Sequence, residues 1–428
     1  MLNSEQLLHY IWRNRLYNTD SLITEDGVKV EVIDPGLHNE NAGPDFFNSK
    51  IKTRGKVWAG NVEIHRTSSD WVKHGHHKDK AYNSVILHLV EEIDTEVVNE
   101  NGQKVTQCRV MVHEQLRKSA EYLINSKYNL PCQNFLSSIP KVKLNAWLSY
   151  LTLDRLERKA DDINKHLSRF NNSWDEVFYV VLSRNYGFGI NSEEFERLAL
   201  SLQYKYILKH SDSLFQIEAL MFGQAGLLER TLQDDYYMSL KNEYKFFKSK
   251  YKLKSIEGYV FKKMRVRPVS FPEMRIAQLA ALLQKSGRLF STILEMKDYR
   301  EFFNYLQTEP SDYWQSHYSF GNSSAKSKKL LGAASLDIIV INTVVTMLFA
   351  YGKKSANEEY CSRAIEILES INPENNRIVR EFIAAGVVPS NAADSQAVIQ
   401  LRKEYCEKRK CLYCRYGHSL LSTDNFIR

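Results

Sequence analysis

Proline and glycine are scarce in this chain, with nine and eighteen among 428 residues, which argues against long disordered linkers. Cysteine is scarce too. Six in a chain of this length make no disulfide framework, and in a reducing compartment they read as free thiols or metal ligands. The N-terminus lacks a basic stretch followed by an apolar one, so no signal peptide is expected. Long hydrophobic runs are missing as well. The most apolar stretch, Ala333–Ala350, is interrupted by Asp337, Asn342 and two threonines and is short for a membrane span. It reads as a buried helix, and a cytoplasmic protein with no membrane partner is expected. Charge of one sign is barely in excess. A net +7 permits a polyanionic partner without requiring one. Phosphate-cradling glycine loops are absent: Asn185-Tyr-Gly-Phe-Gly-Ile190 has no following Lys-Ser/Thr and reads as a turn between helices. No serine-nucleophile motif occurs.

What is present is an ordinary globular composition, 43% apolar and 25% charged, in a chain long enough for two or three domains. Aromatic residues, 24 Tyr and 20 Phe, can fill a core or offer stacking surfaces to bases. Residues 3–18 place Leu7, Leu8, Ile11, Trp12 and Leu16 at helical spacing. Strands are expected at 28–32, 46–51, 57–65, 84–90 and 105–113, from alternating or continuous apolar residues between turn signals. Beyond Cys132 the periodicity is helical. The fold class expected is an α/β N-terminal domain, a mixed sheet flanked by helices, followed by a large mostly α-helical region. The expected divisions are 1–130 (α/β), 131–395 (helical) and 396–428 (Cys-rich).

The chemistry concentrates early. Five of twelve histidines, His65, His74, His76, His77 and His88, fall within 24 residues. They lie beside Asp45, Glu63, Asp70 and Asp79. In a strand, residues two apart face the same way, so Glu63 and His65 project together, opposite Val62 and Ile64. With Asp45 on a neighbouring strand, two carboxylates and an imidazole converge. That set can hold Mg²⁺ or Mn²⁺ and leave room for water and a phosphate oxygen. Glu31, Asp70 and His88 are expected to support it. His74, His76 and His77 read as nucleic-acid-facing or supporting groups rather than ligands.

This order of elements resembles the PD-(D/E)XK nuclease core, over roughly the first 90 residues. Pro44-Asp45 stands where that family has Pro-Asp, and Glu63-Ile64-His65 where it has (Asp/Glu)-X-Lys. Glu5 matches the acid that many members keep on the first helix. The resemblance implies a restriction-endonuclease-like sheet and a metal-dependent phosphodiesterase, with His65 in the lysine role. His65 departs from the pattern: it can act as a base near neutral pH, or be a ligand that draws a transition metal. Nearly the whole chain also resembles the bacterial family called domain of unknown function 2851, through strings such as NAGPDFFNSKI, GNVEIHRTSSDWVKHGHHKDKAYNSVILHLV, NYGFGINSEEFE and RPVSFPEMRIAQLA.

At the other end, Cys406-x4-Cys411-x2-Cys414 precedes His418, a set that can wrap one structural Zn²⁺, with Cys132 as an alternative fourth ligand. Zinc is the first expectation and an iron–sulfur cluster the alternative. Residues 240–267 hold ten Lys/Arg against two Glu, interleaved with Tyr and Phe. Lys262, Lys263, Arg265 and Arg267 are the candidates there for contacts to nucleic acid. The first functional expectation is a metal-dependent, nuclease-like phosphodiesterase acting on nucleic acid. The alternatives are a non-catalytic nucleic-acid-binding or scaffold protein with a degenerate nuclease core, and a metal-dependent hydrolase of a small substrate.

Overall fold

The computed structural model describes residues 4–18, 22–285 and 287–422. The chain forms two compact units. The first comprises Met1–Leu151, Asn375–Val388 and Ala397–Arg428, and the second Thr152–Glu374 and Pro389–Gln396.

The first unit opens with helix α1 (Ser4–Asn14), whose apolar stripe of Leu7, Leu8, Ile11 and Trp12 is fully buried. Seven strands follow: β1 (Ile23–Thr24), β2 (Glu31–Asp34), β3 (Leu37–His38), β4 (Phe46–Thr53), β5 (Lys56–Thr67), β6 (Val85–Glu92) and β7 (Gln107–Arg109). They form one mixed sheet in the order β1-β7-β6-β5-β4-β2, with β3 beside β4. The expected strands at 28–32 and 105–113 are shorter than their apolar patterns suggest, and β2 begins only at Glu31.

β4 and β5 form an antiparallel hairpin closed by Arg54-Gly55. Both turn residues have positive φ, 53° and 74°, as a type I′ turn requires, and its twist matches that of the strands. β5 and β6 then run parallel. Parallel neighbours need a crossover, and residues 68–84 supply it, with a short helix α2 (Asp70–Lys73) and two 3₁₀ turns.

Alternation along these strands builds two faces. Phe46, Ile51, Val62, Ile64, Leu87 and Leu89 pack with α1 and with α3 (Glu114–Asn125) in one core. Glu63, His65 and His88 belong to the opposite parity and lie under the crossover, whose Trp71 and Tyr82 pack with Val85, Val97 and Val105. The crossover thus buries the polar face that a hairpin alone would leave in water.

The boundary expected at 130 falls instead inside α4 (Lys141–Arg169), after Leu151. The Cys-rich segment is not separate: from Ala397 it joins the first unit. Leu144, Trp147, Leu148 and Leu151 share a core with Phe382, Val398, Leu401, Cys406, Cys414 and Tyr416. Residues 423–428 of the expected segment lie outside the described residues.

The second unit is helical around one large core. Its helix Trp174–Tyr186 gives little periodic signal because Val177, Phe178, Tyr179, Val180 and Leu182 are buried all around it. The apolar stretch at 333 runs on as a helix to Ser355. It is 23 residues long, and by length and composition alone it could cross a membrane. Two thirds of its most apolar window (67%) is buried in the unit's interior. A π turn at Val340–Val344 interrupts its α-helical hydrogen bonding. There Asn342 Oδ1 accepts from Arg155 Nη2 at 2.8 Å and its carbonyl from Asn185 Nδ2 at 3.0 Å.

Candidate metal centre

Asp45 ends the loop before β4, and Glu63 lies on β5. They are locked reciprocally. Glu63 Oε2 accepts the Asp45 amide at 3.1 Å, and Asp45 Oδ2 accepts the Ile64 amide at 2.9 Å. The carboxylates therefore meet across the hairpin on one side of the sheet, as alternation predicts.

Around them stand imidazoles. His65 is 2% exposed and His88 wholly buried. His65 Nδ1 lies 2.9 Å from His88 Nε2, and His65 Nε2 lies 3.0 Å from His74 Nδ1. His65 Nε2 also lies 3.5 Å and His76 Nε2 3.1 Å from Glu63 Oε1. The His65 and His76 rings stack at 5.2 Å, and Tyr82 stacks on His76 at 3.8 Å. Ligand atoms of His65, His74 and His76 all lie within 4.8 Å of one another. Among the described residues this is the one group of that kind. His74 and His76, expected as nucleic-acid-facing or supporting groups, stand with His65 in it.

Local chain geometry explains the convergence. Gly75, at φ 80°, turns the chain after α2 and brings His76 back under the sheet while His74 stays exposed. Asp70 anchors that turn: its Oδ2 accepts from the Thr67 amide at 3.1 Å and the Thr67 hydroxyl at 2.8 Å, and Oδ1 pairs with Lys73 at 2.7 Å. Partial burial works against its charge, but these partners outweigh it and hold the carboxyl below its usual range. Asp70 thus fixes the backbone and does not face the imidazoles with a free carboxylate.

Burial, with Asp45 second, raises the Glu63 carboxyl well above its usual range. A cation held beside Glu63 would offset that cost. Burial, reinforced by neighbouring imidazoles, pulls His65 down to about 2 and His88 to about 3. Burial also lowers His76. Neutral imidazoles are the form that binds a metal. Nitrogen from imidazole suits zinc, iron or nickel, and carboxylate oxygen suits manganese as well.

The sequence reading missed His9. It lies on α1, one turn after Glu5, and its Nε2 comes within 3.2 Å of Asp45 Oδ2. Burial opposes a charge on His9, yet attraction to Asp45, with Glu5 and Glu63, holds its pKa above the ordinary histidine value. The i, i+4 spacing of Glu5 and His9 was the available signal; nothing local tied it to Asp45.

Other expected residues lie elsewhere. Glu31 is exposed on β2, paired with Lys52 at 4.0 Å, and lines an open cleft with Arg15, Lys29 and Arg54. Its register partner Lys52 is seven residues beyond Asp45. At about 3.4 Å per residue, that is on the order of 20 Å along the strand. His77 is half-buried, and its Nδ1 has no hydrogen-bond partner. In the second unit, Lys262 approaches Glu194 at 3.6 Å and Lys263 is paired with Glu273. Arg265 and Arg267 are exposed. His418 Nδ1 meets the Tyr10 hydroxyl at 2.9 Å.

A family model described as Protein of unknown function (DUF2851) matches residues 5–377. No curated protein and no solved structure matches the chain.

Proposed function

This chain belongs to the DUF2851 family, and from its buried histidine–carboxylate cluster we propose a metal-dependent hydrolase of phosphodiesters in nucleic acid, on a restriction-endonuclease-like sheet. The observation that carries the reading is the convergence of His65, His74 and His76 within 4.8 Å, beside the buried carboxyl of Glu63, whose charged form a cation would favour. The strand plan supports the nuclease likeness. It has a first helix, an antiparallel hairpin bearing Asp45 and Glu63, a helical crossover, and a parallel strand bearing His88.

The ligands in this reading are His65, His74, His76 and Glu63, and the ion is a transition metal such as Mn²⁺ rather than Mg²⁺. Such an ion lowers the pKa of a bound water and stabilises charge on the phosphate. Asp45 orients Glu63 and His9. His9, whose protonated form Asp45 favours, stands where it can take the part that a lysine has in the nucleases this core resembles. His88 orients His65 through Nδ1, and exposed His74 marks the open side where substrate enters.

The test is cleavage of plasmid, single-stranded DNA and RNA by chelator-treated protein reloaded with Mn²⁺, Zn²⁺ or Mg²⁺, beside Glu63→Gln. Cleavage is expected with Mn²⁺ and should fall roughly 100-fold in the variant, as for loss of a metal-site group. Cleavage unchanged in Glu63→Gln overturns the site as drawn. The three-imidazole set favours one second reading, hydrolysis of a small substrate. Hydrolysis of a small phosphate ester with no cleavage of any nucleic acid would decide for it.

A further inference from the structure

We propose that a small cavity beside Phe188 in the second unit binds one phosphate group, held by the guanidinium of Arg275 and the hydroxyl of Tyr186. This does not depend on the hydrolase reading.

The cavity forms where two separate stretches of the unit meet. Tyr186, Phe188 and Asn191 come from the string NYGFGINSEEFE, and Ser270, Pro272 and Arg275 from RPVSFPEMRIAQLA. Both strings carry the family likeness, and the candidate metal centre uses neither. Asn191 ties the first string to the chain that leads into the second. Its Oδ1 accepts the Lys262 amide at 2.7 Å, and its Nδ2 donates to the Lys262 carbonyl at 3.0 Å.

Arg275 is the feature that calls for a ligand. It lies in the first turn of the helix Pro272–Lys285 and is 6% exposed. A guanidinium keeps its charge in proteins and carries five N–H donors. Nη1 donates to Gln278 Oε1 at 3.0 Å and Nη2 to Ser270 Oγ at 3.1 Å, and the Phe188 ring lies over the guanidinium, its centre 4.3 Å from Cζ. All three partners are neutral. The buried acids of the two strings, Glu194 and Glu273, pair instead with Lys262 and Lys263. The Arg275 Nε–H is buried and has no hydrogen-bond partner. A buried cation with no counter-charge is costly. Nε–H and a neighbouring Nη N–H form the fork that grips two oxygens of one oxyanion.

A second donor stands on the same wall. Tyr186 is wholly buried, lines the cavity, and its hydroxyl has no hydrogen-bond partner. Buried polar groups are rarely left unpaired. One acceptor with several oxygens satisfies Arg275 and Tyr186 together.

Size and access narrow the ligand. The cavity volume is about 40 Å³, roughly three times the 10–15 Å³ that one water needs. That suits a single phosphate group and excludes a sugar or base. Exposed Ile190 and half-buried Val266 carry the wall to the surface, and exposed Arg265 and Arg267 flank Val266. Their positive charge favours a phosphate dianion over a singly charged carboxylate.

The test is calorimetric titration of the full chain, freed of phosphate, with inorganic phosphate. One phosphate per chain is expected. Arg275→Gln should weaken it by at least about 10-fold and Tyr186→Phe, which keeps the ring, by about 3–10-fold, as for loss of hydrogen bonds to a charged and a neutral donor. Lys354→Ala, exposed on another helix, should leave it unchanged. No phosphate bound, unchanged binding in Arg275→Gln, or equal weakening by Lys354→Ala overturns the proposal. Oligonucleotides with a 5′-phosphate or a 5′-hydroxyl, each competed against inorganic phosphate, identify the source. Competition by the phosphorylated strand alone assigns the site to a nucleic-acid end, and competition by neither assigns it to the free ion. Equal competition by both overturns the proposal, because internal phosphates on the basic surface then suffice. Should Arg275→Gln fail to fold, Tyr186→Phe and the titration of the natural protein still decide.

Discussion

Asp45 and Glu63, eighteen residues apart, each accept a backbone amide from the other's strand: Asp45 N–H to Glu63 Oε2, and Ile64 N–H to Asp45 Oδ2. The two carboxylates thereby fix the β4–β5 register at the site as well as lining it. Register matters because a slip of one residue would turn Glu63 and His65 into the apolar core.

His88 holds His65 at Nδ1 and is wholly buried, so it sets which nitrogen of His65 faces the other ligands. His88→Ala is expected to weaken metal affinity by about 10–100-fold while the ligands themselves remain. Competition titration against a metal-indicator dye measures this. Unchanged affinity would remove His88 from the site.

Trp71 is the lid of the crossover. It is fully buried, packs on His76, His88 and Tyr82, and donates from Nε1 to the Val98 carbonyl at 2.9 Å. Trp71→Ala should destabilise the first unit by about 3–5 kcal/mol, as large-to-small substitutions of buried tryptophan do. Urea denaturation read by near-UV circular dichroism reports it, and a loss under about 1 kcal/mol would contradict this packing.

In the second unit, Glu218 is wholly buried, and burial pushes its carboxyl up to about 7 against hydrogen bonds from Tyr236 at 2.5 Å and Trp314 at 3.3 Å. The folded state therefore keeps a proton that the unfolded state loses near pH 4.5. The stability from that proton is fully present below about pH 4.5 and is lost as pH rises to about 7. It amounts to about 3 kcal/mol. Glu218→Gln should abolish that slope. The measurement is the difference in urea stability between variant and natural protein at pH 5 and pH 8; a difference that does not change with pH refutes it.

Lys262 and Lys263 are engaged with Glu194 and Glu273, whereas Arg265 and Arg267 make no ion pair among the described residues. If this stretch contacts phosphates, Arg265→Ala/Arg267→Ala should lower the slope of log K against log salt by about 1–2 for duplex DNA. Lys262→Ala should change it less. Fluorescence anisotropy at several salt concentrations gives the slopes, and equal effects from all positions would remove the distinction.

Much of the first unit is legible from local pattern. The α1 stripe, the β4–β5 hairpin and the alternation that pairs Glu63 with His65 follow from side-chain periodicity and from a turn that only positive φ can make. Helix Trp174–Tyr186 is not legible, because a helix buried all round has no stripe. Glu31 misled because it shares a strand pattern with the site but lies at the far end of the hairpin.

By itself, then, the sequence determined which residues share a face, since alternation and helical spacing are properties of the local backbone. It also determined that histidines and acids crowd 45–88 and cysteines 406–414. Only the tertiary structure decided which members of those crowds meet. The turn at Gly75 brought His74 and His76 to His65, the packing of α1 brought His9 to Asp45, and the shared core of 130–151 with 397–416 brought Cys132 against the core that holds Cys406 and Cys414, while His418 met Tyr10. Those meetings depend on contacts between segments tens to hundreds of residues apart, set by which apolar surfaces bury one another, and no local pattern records them.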